Sequence, residues 1–195
     1  MLEKTWRGIT FRLSLLFPAA VIVLMSFDNS NFILLCLFAS FLHEAGHALA
    51  MLIVRDRPSR VTVGIFGICV ERDRGYYLGY RSQALVSLAG PVVNVFCFTL
   101  FWCLHQPIAA AIHAGLALFN LLPVSSLDGG EALYALLCAQ MPEERAVRIA
   151  RAVSLAVIFP LAVVGFWLLL SETHNFSLLV MSGYLLLLLF FKEKH

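Results

Sequence analysis

Six apolar stretches follow one another along the chain, at roughly 11 to 27, 32 to 54, 84 to 105, 107 to 123, 152 to 170 and 176 to 191. A helix needs about 20 mostly apolar residues to cross the hydrocarbon core of a bilayer, and each stretch approaches that length. Hydrophobic residues make up 61% of the 195 positions and charged residues 13%, more apolar surface than one water-soluble core of this size can bury. The expected fold class is an all-α polytopic membrane protein with six transmembrane helices. It forms a single integral-membrane domain over residues 1–195, with no separate soluble domain. The first stretch follows Lys4 and Arg7 without a small-residue cleavage site, so it is read as a retained span rather than a removable leader.

Orientation follows from the basic residues, because loops kept in the cytoplasm carry the Lys and Arg. With the N-terminus inside, the inner segments hold Lys4, Arg7 and Arg12, the six arginines from Arg55 to Arg81, then Arg145, Arg148 and Arg151, and finally Lys192 and Lys194; these are all 14 basic residues of the chain. The outer loops, near Asp28, His105 to Pro107 and Glu172 to Asn175, contain none. A wrong span count would scatter these charges over both faces. Both termini are therefore expected in the cytoplasm, and Arg145, Arg148 and Arg151, spaced by three, are expected to meet anionic headgroups.

Between the second and third spans, Val61, Val63, Ile65 and Ile68 to Val70 are rich in β-branched residues. They precede a charged turn at Glu71 to Gly75, with Tyr76 to Tyr80 as a returning strand, which predicts a small β-hairpin on the cytoplasmic side. The five cysteines, at 36, 69, 97, 103 and 138, form no C-x-x-C pair and lie mostly in apolar runs. They support neither a disulfide framework nor a cysteine metal site.

The second span carries His43-Glu44-Ala45-Gly46-His47. Residues four apart share a helical face, so both imidazoles can reach one ion. Catalytic zinc sites use three protein ligands and keep a fourth position for water, whose pKa falls to about 7. Glu44 adjoins the first histidine and can take that water's proton. Ionisable side chains in the middle of an apolar span are costly and rare, which favours a functional site over a polar cluster that only joins helices.

A third ligand has three candidates in the sequence: Asp128, Glu131 and His113. The second and fourth spans both run outside to inside, and His47 lies about seven residues, or roughly 10 Å, short of the cytoplasmic end. Asp128, just beyond Pro123, is expected near that depth, whereas His113 falls nearer the outer leaflet. Gly129 and Gly130 give Asp128 the loop chemistry to turn inward. The competing role for Asp128 is an N-cap of a helix at 131 to 141.

Asn120-Leu121-Leu122-Pro123-Val124-Ser125-Ser126-Leu127-Asp128-Gly129 resembles the N-x-x-P-x-x-x-L-D-G signature of site-2 proteases, and His43 to His47 resembles their metal-binding motif. Ser87-Leu88-Ala89-Gly90-Pro91-Val92-Val93-Asn94 is similar to a third element of that family. The resemblance implies that Asp128 is the third ligand of one Zn2+ per chain. It also implies a membrane-protein substrate, a transmembrane or membrane-tethered segment cut within or near the bilayer and possibly docked on the hairpin by β-addition. Small size and six spans make the chain most similar to the sporulation-type bacterial branch, peptidase family M50, which processes a pro-sigma factor. That branch commonly carries a C-terminal nucleotide-binding domain, and none is expected here.

The expected activity is that of a zinc metalloendopeptidase in regulated intramembrane proteolysis, releasing a sigma or other transcription factor, with Glu44 as base and then acid. Inhibitory membrane partners accompany that reading; nucleic acid does not. Asn94 and Asn120 are amides within spans, expected either to donate to the oxyanion or the substrate strand or to join helices by hydrogen bonds. His105, His174 and His195 are expected to be solvated. The rival functions are an intramembrane metal-ion transporter, which calls for ligands spread through several spans, and a non-proteolytic metal-binding scaffold, which needs no base beside the metal.

Overall fold

Small residues set how the helices of the N-terminal half meet. In the computed structural model, which describes residues 2–6, 9–13, 16–27, 30–55, 58–64, 67–72, 79–171 and 176–192, helix α2 (Phe32–Ile53) buries Ala39, His43, Gly46, His47 and Met51. Those positions recur every three or four residues and form one stripe. Helix α3 (Tyr80–Cys103) buries Ala84, Val86, Ser87, Gly90, Pro91, Asn94 and Cys97, again on one face. The two faces pack against each other at Gly46, where a β-carbon would stand only 2.9 Å from the carbonyl oxygen of Ala89 and from the side chain of Val93.

Helix α1 (Leu16–Phe27) lies beside α2. It is preceded by two strands, β1 (Leu2–Trp6) and β2 (Ile9–Leu13), and α2 is followed by β3 (Pro58–Gly64) and β4 (Gly67–Arg72). These make a four-stranded sheet in the order β1-β2-β3-β4. The outer pairs are antiparallel, while β2 and β3 run parallel. A parallel pair needs a crossover rather than a tight turn, and α1 with α2 provides it. Helix α4 (Pro107–Asn120) then runs from the first compact unit, Met1–Leu118, into the second, Phe119–His195.

In the second unit, α5 (Asp128–Cys138) packs on α6 (Glu143–Leu170), and α6 on α7 (Ser177–Lys192). Val124, Ile158, Leu185 and Leu189 form its buried core, flanked by Phe119, Leu122, Leu127, Val157 and Leu186. Gly165 lets α7 approach closely, since a β-carbon there would meet the backbone nitrogen of Leu179 at 2.7 Å.

Several expectations change. Strands are not confined to the segment after α2: β1 and β2 precede α1, and part of the first apolar stretch is strand β2. The segment after α2 pairs Val61 with Val70 and Gly64 with Gly67, so the strand that returns is 67–72, ahead of the charged segment expected to form the turn. Of the expected returning strand, Tyr80 instead opens α3, and residues 76–78 lie outside the described residues. Three described helices, α2, α3 and α6, are long and apolar enough to cross a membrane. Helices α1, α4 and α7 have 12, 14 and 16 residues; at 1.5 Å per residue the 14-residue helix spans about 21 Å against roughly 30 Å of hydrocarbon. Helix α4 stops at Asn120 because Leu122 precedes Pro123, which disfavours helical backbone there. Helix α6 begins at Glu143, nine residues before the apolar run at 152. Its basic turn and its apolar body are one helix. Large apolar side chains, among them Leu52, Ile53, Phe96, Trp102, Phe159, Trp167 and Leu170, are exposed on these helices, as lipid-facing residues are in a membrane protein.

Candidate metal centre

On α2, one turn apart, His43 and His47 point their Nε2 atoms at each other, 3.2 Å apart, with ring planes at 81°. Both residues are buried. Each ring is held from its far side by α3: His47 Nδ1 donates to the carbonyl oxygen of Val86 at 2.8 Å, and Asn94 Nδ2 donates to His43 Nδ1 at 3.0 Å. These contacts fix both rings before any ion arrives. Glu44 is half-buried on the same helix.

The residues fit a zinc ion on two counts. Tetrahedral ligation at about 2.0–2.1 Å sets two ligand nitrogens roughly 3.3 Å apart, close to the observed separation. Gly90 of α3 also leaves room at the same spot. A β-carbon there would press directly on His47 Nε2 and come within 2.8 Å of His43 Cε1. The opening beside the nitrogens exists because this position has no side chain.

Asp128 belongs to the second unit, where it is the first residue of α5, and the residue capping that helix is Leu127. The N-cap role considered for Asp128 is therefore not the one it plays, and the helix expected over 131 to 141 instead spans Asp128–Cys138. A carboxylate in the first turn faces the positive end of the helix dipole. The chain reaches α5 through a tight loop. Ser154 of α6, fully buried, accepts from the backbone N–H of Ser125 at 3.0 Å and pairs with the Ser125 hydroxyl at 2.9 Å. Side chains at Gly129 and Gly130 would collide with the backbone of Leu121 and Val124, so the two glycines let the loop pass directly over the helix start. Glu131 is exposed on α5, and Asn120 is half-buried at the end of α4.

His113, a candidate third ligand, is buried on α4, stacked on Phe101 at 5.4 Å between centroids, and donates from Nδ1 to Asn94 Oδ1 at 2.9 Å. Both amide atoms of Asn94 thus meet histidines. Sequence reasoning missed this connection. Its signal is a polar residue within the apolar run of each of three helices, His43, Asn94 and His113. His105 is exposed, while His174 and His195 lie outside the described residues. Cys36, Cys97, Cys103 and Cys138 are not in disulfides.

Paired buried histidines, one turn apart on an apolar helix and braced by a second such helix, give the chain a candidate metal site among helices apolar enough to cross a membrane. No family model matches the chain. Among solved structures, the Site-2 Protease from Methanocaldococcus jannaschii shares the fold with a TM-score of 0.65, over 94% of this chain and 91% of that one, at 20% identity. Among curated proteins, Stage IV sporulation protein FB of Bacillus subtilis is 29% identical over 174 residues, 83% of this chain. The chain spans 59% of that relative's length. The chain is thus similar in sequence to a sporulation protein and in fold to a site-2 protease.

Proposed function

We propose that the chain is an intramembrane metalloendopeptidase in which His43, His47 and Asp128 hold a single Zn2+ and Glu44 is the general base. The observation that carries this reading is the buried pair of Nε2 atoms 3.2 Å apart, with the opening at Gly90 beside them. When bound, zinc would polarise the scissile carbonyl and acidify water. Glu44 takes the proton of the attacking water and returns it to the leaving amine. Val86 and Asn94 hold the two rings, which suits a resident ion better than one passing through a transporter. Asn120, at the end of α4, is the amide left to hold an unwound substrate strand.

The proposed substrate is a transmembrane or membrane-tethered protein, and the similarity to a sporulation protein points to a transcription factor released from the membrane during spore formation. Six membrane-crossing helices with both termini in the cytoplasm complete the reading, because that topology keeps every basic residue on one side. The single catalytic domain would comprise both compact units.

The test is cleavage of co-expressed membrane-tethered candidate substrates by the wild-type chain and by Glu44→Gln. The variant is expected to keep stoichiometric zinc and lose at least about 10²–10⁴-fold of its cleavage rate, the usual contribution of a positioned base. Equal cleavage by both would overturn the role of Glu44.

A further inference from the structure

We propose that the basic first turns of α6 bind the headgroups of anionic phospholipids through Arg145, Arg148 and Arg151, and that this anchor sets the depth of the loop leading into α5. The inference rests on the reading of α6 as a membrane-crossing helix.

All three arginines are exposed. Residues three or four apart are neighbours on a helix surface, and at that spacing Arg145, Arg148 and Arg151 run on into Leu155, Phe159, Val163, Phe166 and Leu170. Each of those five apolar side chains is exposed, Phe159 by 72% and Leu170 by 69%. Ala146, Ala150, Ser154, Ile158 and Gly165, on the other side of the helix, are buried. The arginines therefore continue the line that a crossing helix gives to lipid.

Length places them at the headgroups. Helix α6 has 28 residues, about 42 Å at 1.5 Å per residue, against roughly 30 Å of hydrocarbon and about 40–45 Å with both headgroup layers. With Leu170 at one hydrocarbon boundary, an upright helix meets the other about 20 residues earlier, at Arg151. Arg148 and Arg145 then lie about 4.5 and 9 Å further out, across the headgroup layer, where a guanidinium fork matches phosphate oxygens. Two acids open the same helix. Glu143 is turned to α5, where it accepts from Tyr134 at 2.8 Å, while Glu144 shares the arginine side and its carbonyl accepts from Arg148 Nε at 3.4 Å. Three cations thus stand against one anion on the lipid side, which suits an anionic surface. Ser154, which holds the loop before α5 through Ser125, comes three residues after Arg151. Arginines fixed at the headgroups therefore fix that loop about 4.5 Å inside the boundary.

The experiment offers the full chain, in detergent, equal amounts of phosphatidylglycerol and phosphatidylcholine and counts the lipids retained by native mass spectrometry. One basic residue near an anionic surface strengthens attraction about fivefold. The wild-type chain is expected to retain phosphatidylglycerol over phosphatidylcholine by at least about tenfold. Arg148→Gln alone should lower that ratio about fivefold, and Arg145→Gln, Arg148→Gln and Arg151→Gln together should bring it within about twofold of unity. A charge-matched control, Arg55→Gln with Arg57→Gln and Arg60→Gln, should keep the wild-type ratio. A wild-type chain without the preference, or an equal loss in both triple variants, overturns the proposal. A ratio unchanged by Arg148→Gln and by the triple at 145, 148 and 151 also overturns it, and leaves the stripe to a protein partner. In lipid nanodiscs, the thiol of Val163→Cys should resist a membrane-impermeant maleimide while that of Val147→Cys reacts, as mapped by peptide mass. A reactive thiol at 163 overturns α6 as a crossing helix and the depth assignment with it. An unreactive one without lipid preference overturns the headgroup anchor alone.

Discussion

At Gly90 a single missing methyl group decides whether the centre can exist. Adding it would push a carbon into the two imidazoles where an ion would sit. Gly90→Ala is expected to lower zinc content from one per chain to below about 0.1 while leaving helicity by circular dichroism unchanged; full zinc occupancy would contradict the geometry. A different residue tests the second unit. Tyr134 donates to Glu143 Oε1 at 2.8 Å, and burial, reinforced by that carboxylate, raises its pKa above the ordinary value of 10. A raised folded-state pKa gives stability that is fully present below the unfolded pKa, near 10, and is lost as pH climbs through the folded value. Tyr134→Phe should therefore cost about 0.5–1 kcal/mol at pH 7 to 9, the low range for a solvent-accessible hydrogen bond. The gap between variant and wild type should close at higher pH. Thermal unfolding across pH checks both, and a gap that widens with pH would refute the assignment. At this scale the pairing of His43 and His47 was legible because their four-residue spacing is a helix property. The link from His43 through Asn94 to His113 was not, since the three positions are 51 and 19 residues apart and only packing makes them neighbours.

Among the elements, α5 depends most on its lead-in. Its first residue is placed by a loop whose Ser125 N–H donates to the buried hydroxyl of Ser154 and whose path requires Gly129 and Gly130. Removing the hydroxyl strands the Ser125 N–H, a loss of about 1–3 kcal/mol. Ser154→Ala should accordingly raise amide hydrogen exchange over residues 124–131 while exchange in α2 stays as in the wild type. Unchanged protection of that loop would show that Ser154 does not hold it. The helices themselves followed from hydropathy, but their ends did not. Ile9, Phe11 and Leu13 alternate with Thr10 and Arg12, a two-residue period that marks a strand, yet the apolar run beginning at 11 absorbed it. The charged segment at 71–75 reads as a turn, but Gly64 already pairs with Gly67, where glycine gives the backbone its freedom. Helix α6 hid its first turns because Arg145, Arg148 and Arg151 break the hydropathy signal without breaking the helix.

For the whole molecule, composition points to the bilayer as solvent, and one motif carries the proposed chemistry. The apolar helices identify a membrane protein, and the fold is that of a site-2 protease. Fold alone does not confer activity, which is why the account turns on the donor set: two imidazole nitrogens from α2 and, as proposed, the carboxylate that begins α5. X-ray absorption at the zinc edge of the purified chain reads that donor set directly, with Asp128→Ala as its partner sample. The account predicts two imidazole nitrogens at about 2.0–2.1 Å with carboxylate oxygen beside them, and the loss of that oxygen together with weaker binding in the variant. A spectrum without two imidazoles, or one that Asp128→Ala leaves unchanged at equal affinity, would contradict it.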